Sequence, residues 1–157
     1  MKTIAFFGHR QIFDKLIVKQ KLTNQLKRLI PQGFSRLLIG CHGDFDSIAL
    51  SASLNCKKDF NDNIKINIVI SSLSYLNKFK YDYSRVDYYN DIKCETIFYD
   101  IEEIHFKNRI TFSNRKMVDD CDLIICYVDM KRNYSGAKNT INYAIKQNKK
   151  IINLFYD

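Results

Sequence analysis

The sequence predicts an α/β protein built on an open, mostly parallel, doubly wound sheet with helices on both faces. Short apolar runs alternate with segments of helical periodicity along the chain. Two of those runs end directly in glycine, at Gly8 and Gly40. A length of 157 residues with 46% apolar content suits one domain, residues 1–157, with a core of its own.

Each element follows from the local pattern. Thr3 to Phe7, ended by Gly8, reads as a strand buried on both faces. Leu16, Leu22, Leu26, Leu29 and Ile30 then recur at helical spacing, and Pro31-Gln32-Gly33 stops that helix. Leu37 to Ile39 runs into Gly40 as a second strand, and Asp44 to Leu54 is a helix with Phe45, Ile48, Ala49 and Ala52 on one side. Ile64 to Ile70 is a third strand. Ser71 to Asp91, with Tyr75, Tyr81, Tyr83, Tyr88 and Tyr89 among polar residues, has little periodicity and reads as a long loop. Its tyrosines are expected to wall or lid a ligand site. Thr96 to Tyr99 is a fourth strand, Phe112 to Asp119 a helix, Leu123 to Val128 a fifth strand, Gly136 to Gln147 a helix and Ile151 to Leu154 a sixth strand. Strand and helix in alternation make a Rossmann-like arrangement.

Composition narrows the setting. Met1-Lys2-Thr3 leads into only four apolar residues before Gly8, so no secretory leader is expected. No apolar run approaches the ~20 residues of a membrane helix. A cytoplasmic protein with no membrane partner is expected. Five cysteines (Cys41, Cys56, Cys94, Cys121, Cys126) without CxxC spacing read as reduced, small core hydrophobes, and no metal site or cofactor is implied. The net charge of +8 is uneven: residues 1–60 hold ten basic against four acidic residues, the remainder fifteen against thirteen. Lys15, Lys19, Lys21, Lys27 and Arg28 share one helix, which reads as a solvated face or as a footprint for nucleic acid.

In such a sheet, ligands bind beyond the carboxyl ends of the strands. The turns there are Gly8-His9-Arg10, then Gly40-Cys41-His42-Gly43-Asp44-Phe45-Asp46, then Asp129 to Asn133 leading to Tyr134-Ser135-Gly136-Ala137. Glycine lets a backbone approach a ligand, and a helix start offers unpaired N–H groups to an anion. Arg10 brings a fork suited to phosphate. Asp46 reads as an acceptor for a ribose hydroxyl or as a helix-dipole partner. Arg115 reads as a ligand contact or as half of an ion pair with Asp119 at i, i+4.

These turns resemble the SLOG superfamily, which unites the Lonely Guy (LOG) phosphoribohydrolases, the DNA-processing protein DprA/Smf and small YpsA-related proteins. Phe6-Phe7-Gly8-His9-Arg10 resembles the FxGHR start of the stand-alone members, and the segment from Gly40 to Ala49 their GxxGxFDxxA. Asn114 to Ile125 is similar to the ERKxxM stretch of LOG proteins, and Ser135-Gly136-Ala137-Lys138-Asn139-Thr140 falls where they carry GGxGT. The resemblance implies a nucleotide-type ligand held by Gly8, His9, Arg10, Gly40, Gly43, Asp44, Phe45, Asp46, Arg115, Ser135, Gly136, Ala137 and Thr140. It also implies a homodimer. Arg115 falls at the LOG catalytic arginine, and Arg115 and Asp46 are the catalytic candidates. The glutamate that LOG enzymes carry after GGxGT has no counterpart in Thr140-Ile141-Asn142-Tyr143-Ala144. The expected function is therefore binding of a nucleotide or ADP-ribose-type molecule by a sensor, sequestering or regulatory protein. The alternatives are an enzyme acting on an N-glycosidic bond, either LOG-like or a nucleoside deoxyribosyltransferase-like transferase, and a DprA-like DNA-associated protein.

Overall fold

The structure, a computed structural model, describes residues 1–60, 63–72 and 94–157. Six strands form one sheet: β1 (Lys2–Gly8), β2 (Phe34–Ile39), β3 (Lys65–Val69), β4 (Cys94–Ile97), β5 (Leu123–Tyr127) and β6 (Lys150–Asn153). Every pairing is parallel and the order is β4-β3-β2-β1-β5-β6. The chain moves outward from β1 to β4, then returns to lay β5 on the free side of β1. Strand order therefore reverses between β1 and β5, where Gly8 stands beside Tyr127.

Alternation along the strands sends successive side chains to opposite faces. Ile4, Phe6, Leu37, Ile39, Ile66 and Ile68 meet helices α1 (Lys15–Leu29) and α2 (Asp44–Phe60) on one face. Ala5, Phe7, Leu38, Ile124 and Cys126 meet α3 (Arg109–Asp120) and α4 (Gly136–Lys146) on the other. The predicted doubly wound sheet is the observed one.

Local differences have local causes. The buried stripe of α1 is Val18, Leu22, Leu26 and Leu29, while Leu16 is 83% exposed. Two residues on a helix point about 200° apart, so Leu16 and Val18 cannot both face the sheet. Helix α2 runs six residues past Leu54 because Cys56 continues its buried face. Helix α3 starts at Arg109, directly after a 3₁₀ turn over Phe106–Asn108, rather than at Phe112. Strand β4 comes two residues earlier than Thr96–Tyr99; in register, Ile66 faces Cys94 and Val69 faces Ile97. The tyrosine-rich segment from Tyr75 to Tyr89 lies outside the described residues. No helix among the described residues is long and apolar enough to cross a membrane.

Candidate functional site

At the reversal point, the ends of β1 and β2, the loop after β5 and helix α3 enclose a cavity of about 300 Å³. It brings together Gly8, His9, Arg10, Gly40, Gly43 and Asp46 on one side with Ser135, Gly136 and Ala137 on the other. Asp44, Phe45, Arg115 and Thr140 are not among its lining residues.

The first wall is two loops bolted together. Asp44 N–H donates to Arg10 O at 2.9 Å, and Ile12 N–H donates to the Asp44 carboxylate at 2.9 Å. Lys15 lies 3.2 Å from the same carboxylate. Asp44 is thus the clamp that fixes the Arg10 loop, and the Ile12 bond holds its carboxyl below the usual range. Phe45 is fully buried under Gly8, with its ring stacked 6.4 Å from that of Tyr127. A Cβ at Gly8 would stand 2.3 Å from Phe45 Cγ, one at Gly43 2.6 Å from Arg10 Cα, and one at Gly40 2.9 Å from Asp46 Oδ2. These three glycines let chain pack on chain. Only Gly33, which caps the 3₁₀ turn after α1 at φ 92°, needs glycine for its backbone angle.

Asp46 and His42 give this wall its chemistry. His42 N–H donates to Asp46 Oδ2 at 2.8 Å, and the His42 ring meets the Ser71 hydroxyl through Nε2 at 3.0 Å. Burial pushes the Asp46 carboxyl up to about 6, against the opposing pull of the His42 N–H and the Arg10 guanidinium. Burial, aided by Arg10, lowers His42 to about 4. At neutral pH the wall offers a carboxylate held at a cost, a neutral imidazole and the Arg10 cation.

The second wall is the start of α4. Asp129 N–H donates to His9 Nε2 at 2.8 Å, so Nε2 carries no proton and the ring's hydrogen is on Nδ1. That N–H points to Ser135 Oγ at 3.4 Å. Ser135 Oγ also accepts from Lys138 N–H at 3.2 Å as the N-cap of α4. With its acceptor sites taken, the Ser135 hydroxyl has its own proton to donate. His9, 7% exposed and kept neutral first by burial and then by Arg132, orients Ser135 and anchors the Asp129 loop. Asn139 N–H closes the first helical bond to Ser135 O, which leaves the Gly136 and Ala137 N–H groups without an intrahelical acceptor. Both residues line the cavity, and a Cβ on Gly136 would meet nothing within 4 Å.

Helix α3 supplies the third side through Ile110, Asn114 and Met117. Arg115 points elsewhere: its guanidinium lies 5.2 Å from the Tyr143 ring centroid, and Tyr143 OH donates to Asp119 Oδ1 at 2.9 Å. Arg115, Tyr143 and Asp119 form a surface link between α3 and α4. Thr140 is buried and donates to Gly136 O at 3.1 Å, which steadies the first turn of α4.

Sequence reasoning missed His42, Asn114 and Arg132. Arg132 sits in the loop after β5 that the strand-end rule already marks. Asn114 could have been found as the polar member of the stripe Ile110, Asn114 and Met117, which falls at i, i+4 and i+7. His42 likewise sits in a turn that the strand-end rule marks, the one after β2, between Cys41 and Gly43. The basic α1 face is largely engaged: Lys15 with Asp44, Lys27 with Asp59 at 3.4 Å, and Lys21 with the carbonyls of Leu154 and Asp157.

No protein-family model matches the chain, and no curated protein matches it.

Proposed function

We propose that this protein binds a nucleotide or nucleotide-derived molecule of the ADP-ribose type, as a sensor, sequestering or regulatory protein. The observation that carries the reading is Gly136. It begins α4, has no positive φ and no neighbour where a side chain would go, yet it lines the cavity. A glycine that the fold does not require, next to unpaired N–H groups and a donor hydroxyl, is suited to an anion brought close to the backbone. Arg10 and Arg132 add guanidinium forks on two sides. Native mass spectrometry of the protein purified from cells tests this, with titration of AMP and ADP-ribose alongside. A co-purified nucleotide or saturable binding is the expected result; neither adduct nor binding would end the proposal.

A second reading, cleavage of an N-glycosidic bond, is favoured by Asp46. A carboxylate in the cavity with a raised pKa is suited to activating water or stabilising oxocarbenium-like charge. Release of free base from a nucleoside monophosphate, abolished by Asp46→Asn, would establish it in place of simple binding. The resemblance also brings a homodimer into the proposal, and sedimentation at twice 18.6 kDa is its check. The DNA-associated reading gains nothing from α1, whose cations are mostly engaged within the chain.

A further inference from the structure

Helix α3 offers the cavity a polar group that the anion site does not use. Ile110, Asn114 and Met117 lie at i, i+4 and i+7, so an amide stands between two apolar side chains on one helix face. One Asn114 N–H reaches Thr140 Oγ1 at 3.4 Å, which fixes the amide plane. Its carbonyl oxygen and second N–H remain as an acceptor beside a donor. Half-buried and lining the cavity, that pair is within reach of a ligand's polar edge.

We infer that Asn114, bracketed by Ile110 and Met117, is the base-reading group of the cavity and takes a nucleobase edge that presents a donor next to an acceptor. A sugar hydroxyl meets only part of this surface. A base edge meets both amide functions while its flat faces contact Ile110 and Met117, as asparagine pairs with adenine elsewhere. A cavity of about 300 Å³ stands at the small end for ligand sites, so base and anion subsites must lie close together. Asn114 and the first turn of α4 are already linked through Thr140, which itself donates to Gly136 O. The inference rests on the nucleotide-binding reading.

The test compares AMP with ribose 5-phosphate, which carries the same sugar phosphate without the base. AMP should bind the parent protein more tightly. Asn114→Leu, which keeps the branched shape without the polar atoms, should weaken AMP about tenfold or more and leave ribose 5-phosphate unchanged. Asn114→Ala, which is neutral and removes both amide functions, should behave alike and guards against a folding defect peculiar to leucine. Equal losses for both ligands would make Asn114 a sugar or phosphate contact, and unchanged AMP binding would remove it from the site; either overturns the inference. Parent protein that binds both ligands equally also overturns it while leaving the anion site standing. Parent protein that binds neither removes the nucleotide reading itself, and this inference with it.

Discussion

Two sides of one cavity use glycine for opposite reasons. At Gly8, Gly40 and Gly43 the missing side chain is replaced by protein: Phe45, Asp46 and Arg10 occupy the space. At Gly136 the space is open. The four look alike in sequence, each beside a strand end or a helix start, and the rule that glycine admits a ligand fits all of them equally. In the structure three serve the close packing of the β1 and β2 loops, and one leaves the place of its Cβ open. A glycine is evidence for a ligand only when nothing of the fold fills the place of its Cβ.

The sharpest way to break this contrast is Gly8→Ala. The new Cβ would stand 2.3–2.6 Å from three atoms of Phe45, a side chain with no exposure and no free direction to move. Overpacking at so fixed a site should cost about 3 kcal/mol or more. Urea unfolding measures it, and a loss under about 1 kcal/mol would show that the loops are looser than this packing implies.

Within the packed wall, Asp46 and His42 should reveal themselves through pH. Asp46 is raised from 3.8 to about 6, so between those values the folded state holds a proton that the unfolded state has lost. Its contribution is intact below pH 3.8 and is lost as pH rises through about 6. His42 is lowered from 6.5 to about 4, so its contribution is intact above pH 6.5 and is lost as pH falls through about 4. The two slopes oppose each other between pH 4 and 6 and largely offset in the parent, which leaves the shallower fall on acidification that the lowered His9 contributes. Asp46→Asn keeps the acceptor for the His42 N–H and leaves the histidine slope alone, so stability should fall on acidification, more so because His9 is also lowered. His42→Gln should leave the carboxyl slope, with stability falling as pH rises. Each change is worth roughly 2–3 kcal/mol across the window. Thermal melts at pH 4, 5, 6 and 7 measure it, and parallel profiles for the two variants would refute the assignment.

How much of this was legible follows from what periodicity encodes. Buried strands and amphipathic helices announce themselves, so β1, β3, β5 and α4 stand where the pattern puts them, while β2 begins at Phe34, three residues before its apolar run. Leu16 misleads because its apolar character fits a stripe whose phase Val18 sets. The cavity's location was legible too, since it depends on strand ends and not on individual side chains. The direction in which a helix points its charges was not. Arg115 and Asn114 are neighbours in sequence and lie about 100° apart on α3, one over Tyr143 and the other in the cavity. The resemblance drew attention to the arginine, and the rotation of α3 against the sheet gives the cavity to the asparagine.

That rotation yields a smaller effect with a definite sign. Arg115→Ala removes an exposed cation–π contact and should cost about 0.5–1 kcal/mol. It should leave ligand affinity unchanged. Arg10→Ala or Arg132→Ala should instead weaken an anionic nucleotide about tenfold, as loss of a charged hydrogen-bond partner does. Titration of ADP-ribose into the three variants makes the comparison, and an Arg115 variant that loses affinity like the others would return Arg115 to the site.

The smallest effect on stability belongs to the open side of the contrast. Gly136 is the first residue of α4, its φ is not positive, and an added methyl group would meet nothing within 4 Å. Alanine loses less backbone freedom on folding than glycine and is the better helix former. Gly136→Ala should therefore leave stability unchanged or raise it by up to about 1 kcal/mol, opposite in sign to Gly8→Ala. Ligand affinity should move the other way. A methyl group beside the Gly136 and Ala137 N–H groups holds an anion's oxygens away from donors that act only at about 3 Å, and affinity for ADP-ribose should fall at least about tenfold. Denaturation and titration on the same sample separate the two quantities. A variant as stable as the parent that still binds with full affinity would mean that the anion does not approach α4 there, and the open space at Gly136 would no longer distinguish the two sides of the cavity.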